Sequence, residues 1–204
     1  MKKQLYRLWS GFLTIFGNIR IFKWPMWIVY DPSYFKVTGE YAEKILEIVK
    51  PGDVILRGYD QFLDSYFING DYSHAGVYIG NGMVVHAISP HVCKMHLLDF
   101  ITCDRVAVCR PAKYSRSGVK TAKMFFQNAV PYDFNFKSKD VNALYCFELA
   151  AECYPKLKIN MFDVSKFFGL IKKRVYLSQS FKTSHDFKTI FEYNPKRSVD
   201  FGLN

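Results

Sequence analysis

No two of the five cysteines are spaced Cys-x-x-Cys, and their number is odd. The spacing argues against a structural zinc site, and the odd count against a disulfide framework, so reduced thiols are the default. His91 and His96 flank Cys93, but a fourth ligand at metal-site spacing is missing. Zinc-finger spacing and RNP-like aromatic signatures are absent too, so the net charge of +10 is not read as nucleic-acid binding. An anionic membrane surface or an acidic substrate remains as its partner. The apolar run from Phe12 to Phe16 is too short to span a bilayer, and Asn18 and Arg20 interrupt it. A convincing small-residue cleavage site for a signal peptide is also lacking. These features lead to the expectation of a cytoplasmic or peripheral membrane protein. Internal repeats and low-complexity linkers are not found.

What the 204 residues do contain is a core. Half are apolar and 18% are aromatic, enough for one domain and too apolar for disorder. Three parts are expected: a basic aromatic segment over 1–39, a folded domain over 40–180, and a polar tail over 181–204. The first 30 residues carry Lys2, Lys3, Arg7, Arg20 and Lys23 among Trp9, Phe12, Phe16, Trp24 and Trp27, with no acidic residue before Asp31. Such a segment suits a membrane interface, or it packs as an N-terminal helix on the domain.

Spacing predicts a helix over 40–50, ended by Pro51-Gly52, and a strand over 53–57. A short turn or helix is expected at 97–100, a strand over 105–110 and a helix over 115–129. Pro131-Tyr132-Asp133-Phe134 reads as a turn. A helix over 140–154, with Asp140 as its N-cap, puts Cys146, Leu149, Ala150 and Cys153 on one inward face. A further basic helix is expected around Val164–Val175.

The chain is organised around Ser73-His74-Ala75-Gly76-Val77-Tyr78-Ile79-Gly80-Asn81-Gly82-Met83-Val84-Val85-His86-Ala87, which reads as a hairpin. Its register decides whether the two histidines meet. A three-residue loop over Gly80-Asn81-Gly82 sets Ile79 against Met83 and His86 against Gly76. His74 and His86 then share a face as diagonal neighbours, with Cβ atoms roughly 7–8 Å apart. A two-residue turn at Asn81-Gly82 sets His86 against Val77 and splits the histidines between faces. The first arrangement is the one expected.

A thiol nucleophile needs a lowered pKa, an adjacent base and a third group that fixes the base's tautomer. Cys146, near a predicted helix start, can be the nucleophile, His74 the base and His86 the orienting ring. The competing reading makes Cys146 a small core hydrophobe, as Cys153 is on the same face.

Pro51-Gly52-Asp53-Val54-Ile55-Leu56, the Ser73–Gly82 strand and turn, Val85-His86-Ala87, Pro131-Tyr132-Asp133-Phe134 and Leu144-Tyr145-Cys146-Phe147-Glu148-Leu149 occur in that order. This series resembles the circularly permuted NlpC/P60 papain-like proteins, the group that includes the YiiX-like proteins. The likeness covers roughly residues 45–155, and Cys146 follows His74 by 72 residues, where unpermuted enzymes place the cysteine helix first. The resemblance implies an α+β papain-like fold, with an antiparallel sheet packed against the helix that carries the nucleophilic cysteine. It maps the catalytic set onto Cys146, His74 and His86. Tyr145, Glu148, Tyr132 and Asp133 become candidate substrate-binding residues, and neither cofactor nor metal is required. Phe147 departs from the small residue, often serine, that follows the cysteine in relatives. The implied reaction is cleavage of an amide or ester through a thioester, on a peptide such as a cell-wall γ-D-glutamyl peptide or on a lipid-like acyl substrate. Two other functions remain open: a thiol acyltransferase, and a non-catalytic protein that uses the fold to bind a membrane or partner.

Overall fold

Pro51-Gly52 turns the chain out of a helix and into the centre of a sheet, and the rest of the domain is built on both faces of that sheet. The computed structural model describes residues 2–16, 20–21, 28–29, 35–60, 70–136, 142–166 and 171–195. In order the elements are α1 (Lys2–Phe16), β1 (Arg20–Ile21), β2 (Ile28–Val29), α2 (Gly39–Ile48), β3 (Val54–Gly58), β4 (His74–Gly80), β5 (Met83–Ala87) and β6 (Val92–His96). They continue with α3 (Leu97–Phe100), β7 (Arg105–Pro111), α4 (Ser115–Gln127), α5 (Cys146–Glu152), β8 (Phe162–Lys166), β9 (Ile171–Val175), α6 (Ser178–Lys182) and β10 (Phe187–Tyr193).

Six strands form the main sheet in the order β10-β7-β3-β4-β5-β6, and every neighbouring pair is antiparallel. Alternation along the strands divides the buried side chains between two layers. Val54, Leu56, Ala75, Val77, Val85 and Ala107 pack with Ala122 and Phe125 of α4 and with Leu149, Ala150 and Cys153 of α5. Ile55, Val84, Val106 and Val108 turn the other way, toward Ile45 of α2 and toward Leu97 and Phe100 of α3. This is the α+β arrangement expected, with the cysteine helix on one side of an antiparallel sheet.

The Pro-Gly-Asp motif fastens this frame. Asp53 is buried, and its carboxylate accepts Arg110 Nε–H (2.9 Å), Arg110 Nη2–H (2.7 Å) and the Lys50 amide (2.7 Å). The Arg110 guanidinium also donates to the Ile48 carbonyl at 2.6 Å, which ties the end of α2 to β7.

Several expectations need correction. Residues 164–166 and 171–175 are not helical but belong to strands β8 and β9, paired from Phe162↔Val175 to Lys166↔Ile171, and residues 167–170 lie outside the described residues. Val164 and Val175 are buried while Asp163 and Arg174 are exposed; this is a period of two, which the basic composition obscured. The stretch 181–204 is not a polar tail throughout. Phe181 of α6 and Phe187 of β10 are buried and meet edge-on, and β10 completes the sheet beside β7; residues 196–204 lie outside the described residues. The helix placed at 140–154 is shorter, beginning at Cys146 with Tyr145 as N-cap, and Asp140 lies outside the described residues. The strand at 105–110 includes Pro111, which pairs with Phe187. At the other end, the chain joins the domain before residue 40, because the Val37 amide donates to the Cys103 carbonyl at 3.0 Å.

Candidate active site

The β4–β5 turn combines the two alternatives that the sequence offers. Gly80 pairs with Met83, so Ile79 does not oppose Met83 as expected; Asn81-Gly82 is a two-residue turn, with positive φ at both positions (52° and 70°). Ile79 is the extra residue of a bulge, and that one residue shifts the register back. Gly76 therefore faces His86 and Val77 faces Val85, as the three-residue loop required.

This register brings the rings together. His74 Nε2 lies 2.9 Å from His86 Nδ1, with the ring planes nearly perpendicular at 84°. Phe100 packs against both imidazoles, with centroids 5.7 Å from His74 and 5.3 Å from His86. Behind Phe100 stands Arg57, the partner of His74 across β3–β4. Its guanidinium carbon is 4.4 Å from the Phe100 centroid, and Nη1 donates to the Phe100 carbonyl at 3.2 Å. Arg57 is buried, and among the described residues no carboxylate forms an ion pair with it. Burial, followed by the Arg57 charge, holds His86 down to about 3, and the same two causes, with His86 added, hold His74 well below the ordinary imidazole value. Both rings are neutral at pH 7.

Cys146 is the first residue of α5, only 5% exposed, and approaches β4 from the opposite layer. Its thiol donates to the Ser73 carbonyl at 3.9 Å, one residue before His74. Among the described residues no hydrogen bond joins the sulfur to either imidazole. Burial pushes the Cys146 thiol up to about 11; the Ala75 and Phe147 backbone groups and the Arg57 charge pull it back only in part. The resting site thus pairs a neutral thiol with neutral imidazoles.

The other candidates are more scattered. Tyr145 is buried; its hydroxyl accepts the Tyr176 amide at 2.7 Å and its ring meets Phe136. Glu148, also fully buried, sits in the first turn of α5. Asp133 caps its own loop by accepting the Asn135 amide at 2.7 Å. The Tyr132 carbonyl accepts the Tyr6 hydroxyl at 3.0 Å, which docks α1 beside the 131–134 loop. Cys93, which the sequence offers only as part of an incomplete metal grouping, has a place in the site: its Sγ lies 3.3 Å from His86 Nε2. It is the direct partner of His86 across β5–β6, and the sequence gives no signal for β6 as a strand.

A family model matches residues 48–191, that of the permuted papain-like amidase enzymes of the YaeF/YiiX type, the C92 peptidases. The chain belongs to this family. As a C92 member it is a papain-like cysteine hydrolase, and its histidine hairpin precedes its cysteine helix. Its fold is similar to a crystal structure described as metalloprotein YiiX from Escherichia coli O157:H7. The TM-score is 0.57 at 19% identity, covering 72% of this chain and 98% of that one. No curated protein sequence matches this C92 chain. Among its described residues, no group of three or more histidine, cysteine, aspartate or glutamate side chains is arranged to hold a metal ion.

Proposed function

We propose that this C92 amidase cleaves an amide or ester by acyl transfer, with Cys146 as nucleophile, His74 as base and His86 as the ring that orients His74. The observation that carries the reading is the 2.9 Å contact between His74 Nε2 and His86 Nδ1. It occupies one nitrogen of His74 and leaves Nδ1 to receive a proton. Cys146 leaves the Ser73 carbonyl and turns its S–H to that nitrogen as substrate enters; catalytic hydrogen bonds commonly tighten only in the complex. The sulfur attacks the carbonyl carbon while His74 takes its proton. In this reading the amide of Cys146, at the start of α5, stabilises the oxyanion. His74 then protonates the leaving amine or alcohol, and water resolves the thioester. A peptide, including a γ-D-glutamyl peptide, or a lipid-like acyl compound supplies the bond.

Site-resolved alkylation of Cys146 tests the assignment. His74→Ala is expected to slow it by on the order of a hundredfold. Equal rates in the two proteins, or a Cys146 no more reactive than Cys153, would remove the nucleophile assignment. A thiol acyltransferase would use the same side chains, and an added amine or alcohol acceptor competing with water would reveal it.

A membrane-near substrate is favoured by α1. Leu8, Trp9 and Phe12 are exposed within two turns of one another, and no acidic residue precedes Asp31. Among the described residues no helix is long and apolar enough to cross a bilayer, so the contact proposed is with an anionic surface.

A further inference from the structure

His86 uses both ring nitrogens, and the second is held from a strand that the triad does not include. Nδ1 faces His74, whereas Nε2 faces Cys93 Sγ at 3.3 Å. Cys93 pairs directly with His86 across β5–β6, so the sheet register itself sets the contact. The two 3.3 Å and 2.9 Å contacts form one line, Cys93–His86–His74, running from the edge strand inward.

We propose that Cys93 is a positioning residue, whose sulfur accepts the Nε2–H of His86 and thereby fixes which nitrogen of His74 can take a proton. The inference rests on the reading of His74 as the base. A neutral imidazole carries one proton, on one nitrogen or the other. If His86 carried it on Nδ1, that proton would point at His74 Nε2, and His74 would hold its own on Nδ1. His74 would then be unable to accept the Cys146 proton. With the His86 proton on Nε2, donated to Cys93, the His86 Nδ1 lone pair accepts His74 Nε2–H, and His74 Nδ1 keeps its lone pair. When Cys146 ionises, one proton passes to His74 Nδ1, His74 becomes imidazolium, and the other protons in the line stay in place.

Sulfur suits this position because it is a weak acceptor. A carboxylate there would draw His86 toward its protonated form, against the burial and the Arg57 charge that keep both rings neutral. The Cys93 thiol is itself kept protonated near pH 7 by partial burial, which raises it. It therefore adds no charge to the site.

The test uses the full chain with 15N-labelled histidine, in which long-range proton–nitrogen correlations report the tautomer of each ring. The wild-type protein and Cys93→Ser are expected to show His86 protonated on Nε2. Cys93→Val, close in size but without an acceptor, is expected to lose that preference and to slow alkylation of Cys146 on the order of tenfold. A His86 tautomer unchanged by Cys93→Val, or identical spectra and rates in the Ser and Val variants, would overturn the proposal. Cys93→Ser also guards against a folding artefact, since it preserves the contact at smaller volume. Spectra of Cys146→Ala chains with and without Cys93→Val separate this inference from the catalytic reading, because the tautomer shift is expected there without any reactive thiol.

Discussion

Gly76 lies directly opposite His86, and its missing side chain leaves the space in which Phe100 touches both imidazoles. A Cβ at residue 76 would stand 2.5 Å from Val84 Cγ1 and 2.9 Å from Phe100 Cζ. Neither neighbour is the loose end of a flexible chain, since both are buried in the α2–α3 layer. Gly76→Ala is therefore expected to cost about 1–3 kcal/mol through overpacking, read as a lower urea midpoint. It should also slow alkylation of Cys146, because Phe100 cannot shift without moving the rings. An unchanged midpoint would count against overpacking at this position.

Asp53 and Arg110 give a second, independent measurement. Asp53→Ala leaves the Arg110 guanidinium without its two-point partner and the Lys50 amide without an acceptor. The expected loss is about 3 kcal/mol, the scale for breaking a largely buried pair. Urea unfolding at pH 7 checks it, and Asp53→Asn, which keeps an acceptor oxygen, should lose less than Asp53→Ala.

The neutral rings make stability fall with acid. His86 takes up a proton near 6.5 when unfolded but only near 3 when folded, owing first to burial and then to Arg57. The unfolded chain thus binds more protons between those values. Stability is present above about 6.5 and lost as pH falls toward 3, by about 1.4 kcal/mol per pH unit for one imidazole. Urea unfolding from pH 6 to 4 should show His86→Gln with a slope shallower by about that amount. Parallel slopes would mean that the folded protein carries His86 protonated.

The exposed face of α1 predicts binding to lipid. Flotation with phosphatidylcholine–phosphatidylserine vesicles should carry the full chain upward. The double change Trp9→Ala with Phe12→Ala should abolish flotation in salt near 0.15 M without moving the urea midpoint. Equal flotation of both chains would assign α1 to another role.

Strands β3, β4, β5 and β7 and the histidine pair were legible because each rests on a local pattern, whereas β6 and β10 were not expected. Gly80-Asn81-Gly82 between two apolar runs announces a hairpin, and counting back from it sets Gly76 against His86. The bulge at Ile79 was not legible, because the same residues serve a two- or three-residue connection. Residues 164–175 misled for a related reason. Arg174 is exposed beside buried Val175, a period of two that the run of basic residues disguises as a helix face. The role of Phe187 in the main sheet depends on pairing with Pro111, far back along the chain. Such distant pairing leaves no local mark. The position of the Cys146 thiol against the Ser73 carbonyl, not against a ring, is likewise a product of how α5 docks.

Two imidazoles come from a single hairpin, whereas the thiol is separated from Ser73 by 73 positions and travels on its own helix. Synthesis begins at the N-terminus, so a ribosome delivers the histidine hairpin well before the cysteine helix. A chain cut short between the two would carry both imidazoles and lack the Cys146 thiol. Under the proposed mechanism, premature release would yield a fragment without a nucleophile.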